Sequence, residues 1–325
     1  MAHITPEQRY TISCMLENDY KRTQIAEAIG KDKSVVSREI NRNCDKRSGV
    51  YKNELATKKY TKRQKEKPKY KRFTSEIRQN VEYLLRQDYS PEQVVGSLKK
   101  QGKQTVSTEC VYQHVWGNKL NNGDLYTHLR RQGRRYRKRG NKKDSRGIIK
   151  NRVHIDQRPP VVDQRSRFGD LEADLIIGKN HQKAIVTIND RASGVLKMKK
   201  VDSKEAKVVS AAINEMLEEW IPYLHTVTND NGKEFAEHQN NADFLSVSYY
   251  FATPYHPWER GSNENLNGLI RQYIKKGSDF TKLTDHYIQT IENKLNNRPR
   301  KRLNYENPTF VMNQLLFNQK VAFVT

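Results

Sequence analysis

Three acidic residues stand in settings that favour chemistry at a metal ion. Asp174 lies in GDLEADLIIG, Asp230 in TVTNDNGKEF and Glu264 in PYHPWERGSNEN, with 33 residues between the second and the third. Carboxylate oxygens suit hard cations, and two such ions about 3.5 to 4 Å apart can activate an attacking oxygen and stabilise a leaving one. We therefore expect all three to be catalytic metal ligands for two Mg²⁺ ions, with Mn²⁺ as a substitute.

The predicted elements can bring these carboxylates to one edge of a sheet. Asp174 falls inside a strand predicted over 171–177, Asp230 follows a strand at an Asn-Gly turn, and Glu264 lies near the start of a helix. Asp170 and Asp190 are the nearest rivals for metal ligation. They rank lower because Asp190 ends its strand in a turn and Asp170 only begins one.

The pattern after residue 168 predicts an α/β domain over 161–300 with a five-stranded mixed sheet. Runs rich in Ile, Val, Thr and aromatic residues predict strands at 171–177, 184–189, 195–199, 226–228 and 247–251. A helix over 203–220, opened by a capping box from Asp202 to Glu205, separates the third strand from the fourth. Closing helices are predicted at about 262–275 and 283–297. This is the element order of a ribonuclease H-like domain.

The first 45 residues predict an all-α, helix-turn-helix DNA-binding domain. Three short helices are expected between residues 5 and 42, and the last one, over 34–42, places Val36 and Ile40 inward. Its opposite face carries the residues expected to contact DNA, which are Ser34, Ser37, Arg38, Asn41 and Arg42. A plain three-helix bundle is the alternative, but the Arg-bearing face in so basic a chain favours the DNA reader.

A second helical, helix-turn-helix-like DNA-binding domain is predicted over 73–130, between two basic linkers at 46–72 and 131–160. Ser90-Pro91-Glu92-Gln93 predicts a capped helix start within it. The second linker opens with the cationic run RRQGRRYRKR, in which four arginines are expected to contact DNA: Arg134, Arg135, Arg137 and Arg139. Residues 301–325 are predicted to form a C-terminal tail.

Composition favours a nucleic-acid partner and argues against a membrane. The 325 residues carry 60 Lys and Arg against 37 Asp and Glu, a formal charge of +23 and a pI near 9.8. This excess is typical of proteins that bind polyanions, so double-stranded DNA is the expected partner. No apolar run is long enough for a membrane span, and the N-terminus lacks a signal peptide. We expect a cytoplasmic, nucleoid-associated bacterial protein.

Taken together, these motifs resemble the DDE transposases of bacterial insertion sequences, specifically the insertion-sequence-thirty family. The resemblance covers nearly the whole chain and includes SREINRN, SPEQVVG, GDLEADLIIGKNH, TINDRAS, DNGKEFAEH and PYHPWERGSNENLNGLIRQY. It implies the fold of ribonuclease H and retroviral integrase, with Asp174, Asp230 and Glu264 as the catalytic acids. It also implies that Arg271 lies on the Glu264 face of its helix and contacts DNA phosphate.

The same resemblance implies a reaction. The protein would bind the terminal inverted repeats of its element, nick the 3′ ends by hydrolysis, and join the freed 3′-hydroxyl to target DNA. Such chemistry needs positioning and charge neutralisation rather than a protein nucleophile. A homodimer is the least assembly that can hold two element ends, and a higher oligomer is the alternative.

Two other functions remain open from the residues alone. A non-enzymatic helix-turn-helix repressor would explain the charge and the N-terminal domain but not the three acids. A ribonuclease H-like nuclease that only hydrolyses would explain the acids but does not need two DNA-reading domains.

Overall fold

The chain divides into two compact units, 1–72 and 73–325, which are described separately. The structure is a computed structural model that describes residues 3–66, 73–132, 149, 151–254 and 256–322. The finer boundaries expected near 45, 130 and 160 stay predictions. Within the described ranges, no helix is long and apolar enough to cross a membrane.

Four helices form the first unit: α1 (Pro6–Glu17), α2 (Arg22–Ala28), α3 (Lys33–Asn43) and α4 (Asn53–Glu66). Thr5 and Gln8 make a reciprocal capping box that starts α1, and the Asp32 side chain accepts from the Ser34 backbone N–H to start α3. Apolar residues from all four helices pack into one core, among them Ile12, Ile25, Val36, Ile40 and Ala56.

Helix α4 lies within the segment predicted to be a basic linker. Ala56 is fully buried on its inner face, and Lys59 Nζ donates to the Cys44 carbonyl at 2.6 Å. The lysines of a basic helix can extend along apolar surface while their charged ends reach water or a carbonyl. The sequence predicts a basic linker over 46–72, whereas Asn53–Glu66 within it form a helix.

The second unit begins with three helices, and the second of them starts at the predicted Ser90 cap. These are α5 (Ser75–Arg86), α6 (Pro91–Lys100) and α7 (Thr108–Leu120), each opened by a hydroxyl cap, from Thr74, Ser90 and Ser107 respectively. Their buried faces form a core of aliphatic residues that includes Val81, Leu85, Val94, Leu98 and Val111.

A five-stranded mixed sheet follows in the same unit. Its strands are β1 (Asp170–Ile177), β2 (Ala184–Asp190), β3 (Leu196–Val201), β4 (Thr226–Asn229) and β5 (Ser248–Phe251). They lie in the order β3-β2-β1-β4-β5, in which β1, β2 and β3 pair antiparallel while β1, β4 and β5 pair parallel. The predicted sheet is therefore present, with strand ends within one or two residues of those expected.

Helices cover both faces of the sheet. The remaining helices are α8 (Val161–Gln164), α9 (Ala206–Leu217), α10 (His238–Leu245), α11 (Gly261–Tyr273), α12 (Asp285–Asn296) and α13 (Pro308–Ala322). One face packs on α9 through Val209 and Ile213. The other packs on α11 and α12, where Leu266, Ile270 and Ile291 meet β1, β2 and β3. Because successive side chains of a strand point to opposite faces, β1 exposes its even-numbered residues to α11.

Two helix predictions differ from the structure. Helix α9 begins at Ala206 with Glu205 as its N-cap, and the expected capping box from Asp202 is absent from this helix start. Asp202 is instead paired with Lys183 at 2.9 Å. The second difference is α13, which occupies most of the predicted tail and packs Met312, Leu315 and Leu316 against the sheet core.

Asp190 is fully buried and is expected to make stability depend on pH. Burial raises its pKa from 3.8 to about 6, although the Ser193 hydroxyl and backbone N–H groups donate to it. The folded state therefore binds a proton that the unfolded state has released between these two pH values, so stability falls as pH rises through this window. We expect a loss of about 3 kcal/mol in total.

Urea unfolding of the wild type and of Asp190→Asn between pH 3.5 and 7.5 measures this loss. The difference between their unfolding free energies should shrink with rising pH, since only the wild type carries the titrating group. A constant difference across the range would contradict the expectation.

Candidate active site

Asp174 lies on the face of β1 that meets α11. It is one of the even-numbered acids of the strand, and its side chain is about one-fifth exposed. The Asn267 side chain on α11 donates from Nδ2 to Asp174 Oδ2 at 2.5 Å. This carboxylate is therefore held at the boundary between the buried sheet and solvent.

Parallel pairing of β1 with β4 brings Asp230 towards Asp174. The register aligns Leu171 with Val227 and Glu172 with Thr228, and two further residues along each chain are Asp174 and Asp230. The Asp230 carboxylate is oriented by a bond from the Gly232 backbone N–H at 2.9 Å, as expected for a turn headed by Asp. The two aspartates that the sequence placed on a strand and a loop are thus neighbours.

Arg260 joins the two aspartates. Its guanidinium lies 3.5 Å from Asp174 Oδ1 and 3.8 Å from Asp230 Oδ2, and it also donates to the Ala173 carbonyl at 2.5 Å. Arg260 is 9% exposed, so it places a largely buried positive charge between the carboxylates. One cation position is therefore common to Asp174 and Asp230. Sequence reasoning missed Arg260 because a single arginine in WERG has no spacing signal of its own.

A fourth carboxylate, Glu234, lies near this pair. Burial raises its pKa, and the negative charges of Asp230 and Asp174 raise it further. Glu234 was also missed, although DNGKEF places it four residues after Asp230, where a short turn returns the chain towards the site. Its proximity makes it a further candidate for orienting a cation or a proton at this site.

Glu264 is exposed in the first turn of α11. It lies four residues after Arg260 and three before Asn267, and both of those residues contact Asp174. Because residues three apart are neighbours on a helix surface, Glu264 lies on the same side of α11 as Asn267, which contacts Asp174. Even so, within the described ranges no three His, Cys, Asp or Glu side chains come close enough to hold a metal ion.

The donor set nevertheless fits a divalent cation. Asp174 and Asp230 supply the carboxylate oxygens that Mg²⁺ prefers, and Arg260 marks a position where both accept positive charge. Two residues that contact Asp174 also carry buried side-chain atoms without a hydrogen-bond partner in the described structure, Arg260 Nε and Asn267 Oδ1. Such atoms are rare in protein interiors and indicate that water or a ligand belongs there.

The rival acids have other partners. Asp170 binds Arg167 at 2.8 Å and the Thr226 hydroxyl at 2.9 Å, and Asp190 accepts from Gly169 and Ser193 within the sheet. Glu172, on the same face as Asp174, is fully buried against Arg191. These contacts give all three acids partners within the fold, and the lower rank of Asp170 and Asp190 as metal ligands stays a prediction.

The predicted DNA-contact residues are only partly described. On α3, Ser34, Arg38, Asn41 and Arg42 are exposed and Ser37 is half-buried, while Val36 and Ile40 are buried as expected. Arg38 bonds back to the Ser34 carbonyl and hydroxyl at 3.0 and 2.9 Å. Arg271 lies on α11 with Nη1 3.4 Å from the Lys275 carbonyl. The four arginines of the basic run, Arg134, Arg135, Arg137 and Arg139, lie outside the described residues.

Comparisons with known proteins identify the family. No protein-family model matches the chain. The chain is 51% identical over 323 residues to the transposase for insertion sequence element IS4351 of Bacteroides fragilis, with 99% of each protein covered. It is 32% identical to the transposase for IS1086 of Cupriavidus metallidurans, with 97% of this chain and 95% of the relative covered. It is also 32% identical to the transposase InsI for IS30A of Escherichia coli, with coverage of 95% and 82%. The chain therefore belongs to the insertion-sequence-thirty family of transposases.

Proposed function

We propose that this protein binds the terminal inverted repeats of an insertion sequence and catalyses metal-dependent nicking and strand transfer. The observation that carries the proposal is the cation position common to Asp174 and Asp230, which neighbours the face of α11 that bears Glu264. Asp174, Asp230 and Glu264 would hold Mg²⁺, which would activate the attacking oxygen and stabilise the leaving one. The names of the relatives, which are transposases for insertion sequences, agree with it.

The fold is consistent with this activity. A sheet with three antiparallel strands followed by two parallel ones, with helices on both faces, has the element order of a ribonuclease H-like domain. In this strand order β1 and β4 are neighbours at the centre of the sheet, and nearby residues orient the two aspartates. Asn267 orients Asp174, and the Gly232 N–H orients Asp230.

We further propose that α2 and α3 form a helix-turn-helix reader of the element ends. The exposed face of α3 carries two arginines, an asparagine and a serine, which can donate to phosphates and to base edges in the major groove. Two element ends must be held together for joining, so the active assembly is at least a homodimer.

A strand-transfer assay with end-containing DNA and Mg²⁺ tests the function directly. Wild-type protein should nick the 3′ ends and join them to a target duplex, and Mn²⁺ should replace Mg²⁺. Cutting without joining would establish the hydrolysis-only nuclease. Specific binding to the end sequence without any cutting would establish the repressor.

Arg42→Ala is expected to weaken binding to end-containing duplex by about 10- to 100-fold, the usual cost of losing one arginine contact to a base. Arg42 is exposed near the end of α3, so the substitution should leave the fold intact. Fluorescence anisotropy with end and scrambled duplexes measures the effect. Lys207→Ala, at an exposed cation on α9 of the second unit, is the control and should retain most of the affinity. Equal losses in both variants would argue against α3 as the reader.

A further inference from the structure

A cleft of about 460 Å³ in the second unit is lined by an unusual number of cations. We name it the arginine cleft after its charged lining residues, which are Arg130, Arg165, Arg298, Arg300, Lys301 and Arg302, with Glu92 as the one acid among them. Glu92 pairs with Lys301 at 2.6 Å. The five arginines therefore remain as an excess of positive charge in one cleft.

Neutral groups hold these arginines in place. Arg298 donates to the side-chain oxygens of Gln93 and Gln272 at 2.9 and 3.1 Å. Arg300 donates to the Leu295 carbonyl at 3.0 Å and Arg302 to the Ala192 carbonyl at 2.9 Å. Across the described ranges, none of the five arginines of the cleft forms an ion pair with a carboxylate. Each guanidinium carries more donors than these bonds use, so the cleft can still bind an anion.

Gathering these charges is electrostatically unfavourable without an anion. Arg298 is only 3% exposed. Burial and the neighbouring Arg298 and Arg302 lower the pKa of Arg300 to about 9. This pKa is still above neutral pH, so Arg300 stays charged beside Arg298 and Arg302. Asp88, Asp190 and Glu172 offset only part of the charge of those two neighbours, whose pKa values stay lowered. A buried charge is costly unless a partner offsets it, which a bound anion would do.

The arginine cleft lies beside the start of α11. Ser90 and Gln93 of the α5–α7 region line one side, while Gly261, Ser262 and Asn265 from the first turn of α11 line another. The Ser262 hydroxyl is buried without a hydrogen-bond partner. Glu264 belongs to the same turn, on the face that points towards Asp174. An anion in the cleft would therefore contact the helix turn that carries the predicted catalytic glutamate.

We propose that the arginine cleft binds a backbone phosphate of the DNA on which this transposase acts, and so positions the strand against the start of α11. The identity of the DNA rests on the proposed function, whereas phosphate binding by the cleft does not. Guanidinium groups bind phosphate oxygens through two parallel hydrogen bonds, which a planar cluster of donors favours. A phosphodiester matches both the charge of the cleft and the chemistry of the chain's partner.

Binding measurements on the full-length protein test the proposal without any catalytic readout. Arg300→Gln removes a half-buried cation of the cleft, and Arg165→Gln removes an exposed one. Lys207→Gln is the control, since it deletes one positive charge from an exposed position of α9, outside the cleft and outside the predicted DNA-binding domains. Anisotropy with end-containing duplex over a range of salt, and calorimetry with inorganic phosphate, give the affinities.

We expect Arg300→Gln to weaken duplex binding about tenfold or more, as for a lost charge-assisted bond. The plot of log K for duplex binding against log salt concentration should also become less steep, by about the amount that one phosphate contact contributes. Arg165→Gln should weaken duplex binding about two- to fivefold, and Lys207→Gln should leave it almost unchanged. If circular dichroism shows that Arg300→Gln is unfolded, the Arg165→Gln result decides.

Duplex affinities of both cleft variants equal to that of Lys207→Gln would overturn the proposal. Loss of inorganic phosphate binding with unchanged duplex affinity would also overturn it, because the cleft would then be a site for a small free anion. If the wild type fails to join DNA ends but its duplex binding depends on Arg300 and Arg165, the proposed function fails and the cleft assignment is supported.

Discussion

Asp174→Asn is expected to reduce strand transfer at least about a thousandfold, equivalent to roughly 4 kcal/mol of lost transition-state stabilisation. The substitution keeps the shape of the side chain and its contact with Asn267 but removes the negative charge that a cation needs. Asp230→Asn and Glu264→Gln should have losses of the same order, because all three carboxylates are predicted to act on the same metal ions. Joining and nicking should fall together in each variant.

The control for this series is Asp243→Asn, an isosteric change at an exposed position of α10. It should retain wild-type joining. Duplex affinity in the absence of divalent ions should be unchanged in all four variants, so that a loss of activity cannot be assigned to DNA binding. Full joining activity in Asp174→Asn or Glu264→Gln would show that the predicted triad is wrong.

Direct binding of the metal gives an independent readout. In the wild type, Mn²⁺ titrated against the free protein should bind, and Asp174→Asn should lose most of that affinity. The Mn²⁺ affinity of Glu234→Gln is expected to lie between those of the wild type and Asp174→Asn. Glu234 interacts with Asp230 and Asp174 but does not belong to the predicted triad. Equal Mn²⁺ affinity in the wild type and Asp174→Asn would mean that the cation position held by Arg260 is not a metal site.

The sequence predicts the sheet and the pair of aspartates well because both depend on local patterns. Period-two alternation places Asp174 on one face of β1, and the Asn-Gly turn places Asp230 after β4. Parallel pairing of β1 and β4 then makes the two aspartates neighbours. The positions of Glu264, Arg260 and Asn267 depend instead on how α11 packs across the sheet.

Other features could not be read from the sequence because they depend on tertiary partners. The charge of the α4 segment predicts a solvated basic linker, and only the packing of Ala56 into a core shows that it is a helix of the fold. Asp202 looks like a helix cap until Lys183, 19 residues earlier, pairs with it. The arginine cleft combines residues from α6, the strand region and the segment after α12. Sequence patterns report short-range periodicity, whereas these contacts join residues distant along the chain.

Glu172→Gln is expected to lower stability and leave joining activity intact, whereas Asp174→Asn is expected to remove joining activity. The two residues nevertheless lie two apart on the same face of β1. Glu172 is fully buried and its carboxylate pairs with Arg191, which also bonds Asp163 at 2.8 Å. Removing one partner leaves a buried cation without its main counter-charge, which costs about 3 to 5 kcal/mol. Urea unfolding should show this loss, while joining per folded molecule should stay near the wild-type level.

A double-mutant cycle with Arg191→Gln separates the ion pair from the rest of the site. Because residues in contact couple, the double variant should be less destabilised than the sum of the two single variants. A sum that is simply additive would show that Glu172 does not stabilise the fold through Arg191. By contrast, Asp174→Asn should cost less stability than Glu172→Gln, because Asp230 remains beside Arg260 as a second counter-charge. The two carboxylates thus differ in role because Glu172 is fully buried against Arg191, while Asp174 lies partly exposed and shares Arg260 with Asp230.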